Sequence, residues 1–313
     1  MLDRPLIVPA VIRNPASRLL EMNPLRRYVR SWVQGTDRAS QISIDGAITV
    51  EDSIKVDAEE GLTGDFEVTH FTSDHLGAYR IEVYVGGGTN QKLMDVPIHV
   101  DLICGNAENE FYLPCSIFLE ANTVLNVRIT NISANITNKV RFKAHGRRFL
   151  KYAAFMNQRA LAEQFYGRGT YPYFAGLNDT SITLTASQTN VSGVITIPAF
   201  SDLEAEYLVG KTQGLVRLRI QESKSGSPIM IGGGRGTSLE AGVQSSHVLG
   251  TARKPYRFTP DPAFLPRGNR VETIWDDISG ASNTVEMALV GRMLPFPDLK
   301  RPPAGVPRIV AAP

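Results

Sequence analysis

The sequence predicts a mainly β chain built as two tandem β-sandwich domains, and three observations carry that expectation. Apolar and polar residues alternate over many short runs, the pattern of strands with one buried face. Pieces rich in Gly, Ser, Asn and Pro separate those runs at short intervals. Two stretches more than a hundred residues apart also read alike.

Residues 1–40 read as an N-terminal arm. Asn23-Pro24 can cap and open a helix with Leu25, Tyr28, Val29, Trp32 and Val33 along one face, ending before Gly35. Six arginines (Arg4, Arg13, Arg18, Arg26, Arg27 and Arg30) face only Asp3 and Glu21 in this stretch, an excess of four positive charges. A short basic amphipathic helix is expected, packed on its own domain, or else docked on the acidic surface of a neighbouring subunit or reaching a nucleic-acid genome or an underlying membrane. Arg26, Arg27, Arg30 and Trp32 are the candidate assembly-interface residues. Trp32 and the apolar stripe favour a protein partner, because phosphate alone would leave them uncovered.

Residues 41–150 form the first expected sandwich, with alternating runs at 79–84, 96–102, 124–130 and 139–144. Residues 151–176 form a linker, in which 152–165 carries good helix formers and stops at Gly167. The second sandwich spans 177–295, with alternation at 181–185, 216–220 and 284–289. Pro297, Pro302, Pro303 and Pro307 make 296–313 a Pro-rich, extended C-terminal arm. Val127, Ile129, Val140 and Phe142 are expected in the first core, and Val216, Leu218, Trp275, Val285, Met287 and Leu289 in the second.

The repeat is clearest where each half closes. Phe118-Leu119, Ile132-Ser133, Asn138 and the run from Val140 to Gly146-Arg147 match Phe264-Leu265, Ile278-Ser279, Asn283 and the run from Val285 to Gly291-Arg292. The opening segments match as Gly64-Asp65-Phe66-Glu67-Val68 against Gly193-Val194-Ile195-Thr196-Ile197. His99 and His247, each followed by Val, fall at related places.

The charge balance, 33 Lys plus Arg against 31 Asp plus Glu in 313 residues, gives no general pull toward nucleic acid or a membrane. No apolar run reaches the ~18 to 20 residues of a bilayer span, and residues 1–10 hold no signal-peptide core, so a soluble, unprocessed chain is expected. Cys104 and Cys115 are too few for a disulfide framework and are expected as reduced, partly buried thiols. The five histidines show no metal-ligand spacing, and no Gly-x-Ser-x-Gly elbow surrounds a serine. The loop at 232–236 lacks a Gly-Lys-Ser/Thr ending, and Asp276-Asp277 reads as a solvated turn. No catalytic, cofactor or metal residue is nominated, and no enzyme is expected.

Two similar β domains, a helix between them and an arm at each end resemble the tandem or double jelly-roll structural proteins of bacteriophage and virus shells. The resemblance covers about 43–294 and rests on this architecture with the repeated Phe-Leu, Ile-Ser, Asn, strand, Gly-Arg pattern. It implies two jelly-roll-like domains and a non-enzymatic virion role, as a capsid protein or as a head-associated decoration, vertex or collar subunit made in the host cytoplasm. The implied partners are copies of the chain itself and other virion proteins, with no specific nucleic-acid site and with contact to an internal membrane unsupported. A second class is a carbohydrate-binding or adhesin-like β-sandwich protein, whose sugar-stacking candidates are Tyr166, Tyr171, Tyr173 and Phe174. A third is a hydrolase on a β-sandwich.

Overall fold

The computed structural model describes residues 29–35, 42–44, 48–86, 91–106, 108–133, 137–226, 228–230, 243–258 and 261–295. In the first half these form β1 (Val29–Gly35), β2 (Ile42–Ile44), β3 (Thr49–Ile54), β4 (Phe66–His75), β5 (Tyr79–Val85), β6 (Gln91–Lys92), β7 (Ile98–His99), β8 (Tyr112–Leu119), β9 (Leu125–Asn131) and β10 (Asn138–Phe149). Helix α1 (Tyr152–Tyr166) follows. The second half holds β11 (Tyr171–Gly176), β12 (Ile182–Leu184), β13 (Val191–Thr196), β14 (Ser201–Thr212), β15 (Val216–Glu222), β16 (Pro228–Met230) and β17 (Val243–Gln244). Helix α2 (Ser245–Val248) leads to β18 (Tyr256–Arg257), β19 (Ala263–Leu265), β20 (Arg270–Asp277) and β21 (Asn283–Pro295). The chain is mainly β, as expected.

Each half has two antiparallel sheets. The first half orders β1-β10-β4-β8, with β2 also on β10, and β3-β9-β5-β6, with β7 also on β5. The second half orders β11-β21-β14-β18, with β12 on β21 and β19 on β14, and β13-β20-β15-β16, with β17 on β15. The orders are the same once β18 and β19 together take the place of β8. Between each pair of sheets the inward residues form one apolar cluster. Val127, Ile129, Val140 and Phe142 lie in the first cluster, and Val216, Leu218, Trp275, Val285, Met287 and Leu289 in the second. Every core residue expected from the alternation is buried.

The pairing register aligns the halves residue by residue. Leu119 faces Phe66 as Leu265 faces Leu203, and Phe118 faces Glu67 as Phe264 faces Glu204. Gly146 and Gly291 each sit beside a register shift, where a Cβ would come within 1.8 Å of the Glu67 carbonyl oxygen or 2.0 Å of that of Glu204. Only glycine allows so close a backbone approach. Asn138 and Asn283 close matching corners: the Asn138 amide donates to the Gly77 carbonyl at 2.7 Å, and the Asn283 amide donates to the Ser279 hydroxyl at 2.8 Å. The closing match in the sequence is therefore structural.

Four expectations need correction. The opening match pairs segments with different places, because Gly64–Val68 leads into β4 whereas Gly193–Ile197 belongs to β13; the true counterpart of Glu67 is Glu204. His99 corresponds to Gln244 rather than His247, since Arg80 faces His99 as Arg217 faces Gln244. The run at 96–102 is only a two-residue strand followed by a 3-10 turn at Val100–Leu102, which the His99 ring caps by accepting from the Asp101 N–H at 3.2 Å. The helix expected through Trp32 is a strand. Val29–Gly35 pairs along its whole length with β10, and those backbone bonds outweigh a helical stripe that also suits an edge strand. Helix α1 is present where expected and ends at Gly167, whose φ of 95° closes it.

Trp32 packs against the first core, and the fully buried Arg148 lies over its ring at 4.4 Å. Arg148 also donates to the carbonyls of Asp57 and Thr63. Replacing Trp32 by Ala is expected to destabilise the chain by about 2 to 3 kcal/mol, through lost packing and the lost cation–π contact. Urea unfolding measures it. A Trp32→Ala chain of full stability that failed only to assemble would return Trp32 to a purely interfacial role.

Candidate functional site

Of the four expected assembly residues, Arg26 and Arg27 lie outside the described residues. Arg30 is exposed on β1, and Trp32 is half-buried on the same strand. Among the described residues β1 pairs with no strand but β10, so it is an edge strand of its sheet there, the kind of element that strand addition uses. The counterpart edge in the second half is taken. There the Phe174 N–H donates to the Leu93 carbonyl of the first half at 2.8 Å.

That bond belongs to a broad contact between the halves. Phe174, Val209, Ala252, Ala288 and Val290 of the second half join the apolar cluster of the first, and Tyr207 meets Phe111 edge-on at 5.6 Å. Gly176 lets the segment carrying Val96 approach, since a Cβ there would stand 2.7 Å from the Val96 Cγ2. Around this apolar centre Arg80 pairs with Glu286 at 2.6 Å, Lys211 with Asp101 at 3.0 Å, and the Ala252 N–H donates to the Asp101 carbonyl at 2.8 Å. Burial pushes the Asp101 carboxyl up, but the Lys211 hydrogen bond and the neighbouring charges outweigh it and hold the group below its ordinary value. The sheet containing β21 is thus buried on both faces, which explains the unbroken apolar run Met287-Ala288-Leu289-Val290.

The equivalent outer face in the first half is polar. Register places Val33, His70, Thr72, Lys143 and His145 where the second half has Phe174, Tyr207, Val209, Ala288 and Val290. His70 and His145 stack with ring centroids 4.5 Å apart, and Tyr112 lies 4.9 Å from His70. Thr72 bonds His145 Nε2 at 2.7 Å, Thr69 bonds His70 Nδ1 at 3.1 Å, and Glu110 stands 3.9 Å from His70 Nε2. Sequence reasoning missed this pair, because 75 positions separate the residues and only the β4–β10 register joins them.

Burial, and then the neighbouring His145, lower His70 to about 4 against the pull of Glu110. His145 is lowered too, chiefly by burial. The unfolded chain therefore binds more protons than the folded chain between about pH 6.5 and 4, so stability contributed by His70 is complete above that window and is lost as pH falls through it. The loss should approach about 3 kcal/mol near pH 4. Thermal unfolding from pH 7.5 to 4.5 is expected to show a shallower pH slope for His70→Gln; equal slopes would refute the assignment.

The remaining candidates take structural roles. Cys104 and Cys115 are free and buried, and burial raises both thiols. Asp276-Asp277 is no solvated turn. Asp277 accepts from the Ser187 N–H at 2.7 Å, and this bond with those from Ser279 and Asn283 holds it down to about 2, while Asp276 accepts from the Asn190 N–H. The arginines after the repeated glycines pair within their own halves: Arg147 stands 3.5 Å from Glu67, and Arg292 binds Glu204 at 2.8 Å and Glu206 at 3.1 Å beneath the Tyr166 ring. The loop at 232–236 lies outside the described residues. Among the described residues no three His, Cys, Asp or Glu side chains gather as a metal would need, and no helix is long and apolar enough to cross a membrane. A surface hollow of about 470 Å³ is lined by Lys211, Thr212, Ser245, Leu249 and Thr251 among others.

No family model and no curated protein matches the chain. Among solved structures, PNGF-II is similar with 9% identity and a TM-score of 0.29, covering 84% of this chain, which spans 66% of that one. The CBM22-1-CBM22-2 tandem domain of Paenibacillus barcinonensis Xyn10C is similar at 8% identity and a TM-score of 0.17, covering 84% of this chain and 96% of that one.

Proposed function

We propose that the chain is a non-enzymatic virion structural protein of a bacteriophage, a capsid or head-associated subunit made of two tandem jelly rolls. The observation that carries this reading is the shared strand order of the halves. In each, the chain passes back and forth between two sheets in the same sequence of steps, and the last strand lies between the first and the fourth. Such an order suits two Greek keys wound into one sandwich.

The contact between the halves supports an assembly role. An apolar face ringed by ion pairs joins them into one block with broad sheet faces, and a block of two similar units can double the apparent symmetry of a ring. Three of the four aromatics considered for sugar stacking do not favour the carbohydrate reading: Tyr173 and Phe174 are buried, and Tyr171 packs against both cores, while the half-buried Tyr166 stacks on the Arg292 guanidinium at 4.9 Å. Copies of the chain and other virion proteins are the proposed partners.

The mass of the native protein tests the proposal. A closed ring or larger assembly at micromolar concentration is expected, weakened by deletion of residues 1–28, which precede β1. A monomer at high concentration, with or without that segment, would sink it, and binding on a glycan array would favour the carbohydrate class.

A further inference from the structure

We propose that the contact between the halves is an acid-sensitive latch: protonation of His99 and His75 of the first half turns them onto Asp101 and displaces Lys211 of the second half. This inference does not rest on the virion reading.

Asp101 is approached from both halves. Its Oδ2 accepts from Lys211 Nζ at 3.0 Å, and His99 Nδ1 stands 3.7 Å from the same oxygen. His75 Nε2 stands 3.8 Å from Oδ1. The His99 ring is buried with a donor at each nitrogen: Nδ1 accepts from the Asp101 N–H at 3.2 Å, and Nε2 lies 3.3 Å from Lys211 Nζ. A neutral imidazole leaves one nitrogen to accept, and an imidazolium leaves none. A proton added to His99 therefore sets an N–H against a donor on both sides, and the carboxylate beside the ring is that of Asp101. Turning Nδ1–H to Oδ2 exchanges the Lys211 bond, which crosses the contact, for one inside the first half. It also undoes the cap on the 3-10 turn that holds the Asp101 carbonyl toward the Ala252 N–H of the second half, 2.8 Å away.

The charges around His99 come from each element packed on it. Glu286 of β21 and Asp101 of its own turn attract a proton to the ring, whereas Lys211 of β14 and His75 of β4 oppose one. Arg80 of β5, opposite His99 in the ladder, is paired with Glu286. Burial is the largest influence, and His99 lies below its ordinary value. His75 is lowered as well, first by burial, with Arg253 and Lys211 acting against Asp101 and Asp74. Parting the halves removes Lys211 and opens both rings to water, so each returns toward its ordinary value near 6.5. Below that pH the parted form binds more protons than the closed one. The contact is therefore complete above about pH 6.5 and weakens as pH falls through the lowered values.

Amide hydrogen exchange in the full chain tests the latch. The Ala252 N–H, bonded to the Asp101 carbonyl, and the Phe174 N–H, bonded to the Leu93 carbonyl, cross the contact and report its opening. The amides of Ile129 in β9 and Leu218 in β15 report unfolding of each half, including any acid loss through His70. From pH 7.5 to 5, with intrinsic exchange corrected for, protection is expected to fall about tenfold more at Ala252 and Phe174 than at Ile129 and Leu218. In a His75→Gln, His99→Gln chain that excess should vanish. Lys211 is partly exposed, so Lys211→Met keeps the test valid even where the buried His99 tolerates no replacement. This variant is expected to lower the protection of Ala252 already at pH 7.5 and to shrink the excess. An equal fall at all four amides of the native chain would overturn the proposal, as would an excess left undiminished by the histidine replacements or by Lys211→Met.

Discussion

Placing aspartate at Ile129 is expected to unfold the first half of the chain. Ile129 is fully buried on β9, between Val50 of β3 and Ile81 of β5, and its side chain lies in the first core. Losing that burial costs about 1.5 to 3 kcal/mol. A carboxylate without a partner in the same place costs several kcal/mol more, by desolvation or by the protonation that avoids it. The total, roughly 5 kcal/mol or more, equals the whole stability of many domains. Circular dichroism and limited proteolysis of purified Ile129→Asp should show loss of structure before residue 150. A soluble, cooperative, protease-resistant variant would mean that β9 turns its other face inward.

The residues that proved legible are those for which local pattern and tertiary environment agree. Alternation in β9, β10 and β15 reports one buried face, and it placed Val127, Phe142 and Leu218 correctly. The closing repeat was legible because Phe118-Leu119 and Phe264-Leu265 keep the same pairing partners and because the glycines after β10 and β21 are sterically required. The opening repeat misled because a glycine followed by alternating apolar residues opens many strands, and only pairing with Arg147 and Arg292 identifies Glu67 and Glu204 as counterparts. At β1, Trp32 and Val33 satisfy a helical stripe; what decides between helix and strand is the long β10 alongside, which no local window contains. The histidine stack has the same origin. Its members are far apart in sequence and meet only through register.

The two outer faces carry a lesson about the architecture. One face position is Val290 in the second half and His145 in the first, and the neighbouring pairs, Ala288 with Lys143 and Val209 with Thr72, change in the same direction. A sheet covered by another domain is apolar on both sides, whereas a sheet that ends the stack keeps a polar outer face, as terminal units of repeat proteins do. The halves therefore share a fold but not a role in the contact.

Aspartate at Val290 is accordingly expected to part the halves without unfolding either. Val290 is fully buried, but only by the first half, because its side chain lies on the face of β21 that joins the first cluster with Phe174 and Ala288. A carboxylate there is costly by several kcal/mol while the halves are in contact and costs little once they separate, since the position then meets water as an outward residue of a sheet. Separation releases the partly solvated Lys211–Asp101 pair, whose loss is small, and the Arg80–Glu286 pair, whose buried carboxylate regains water as the halves part. Calorimetry of Val290→Asp should show two unfolding transitions in place of one, and small-angle scattering should show a larger radius of gyration with unchanged far-ultraviolet circular dichroism. A single transition at the original temperature would show that the face tolerates a charge. Loss of β structure in residues 171–295 would show that the second half depends on the first to fold.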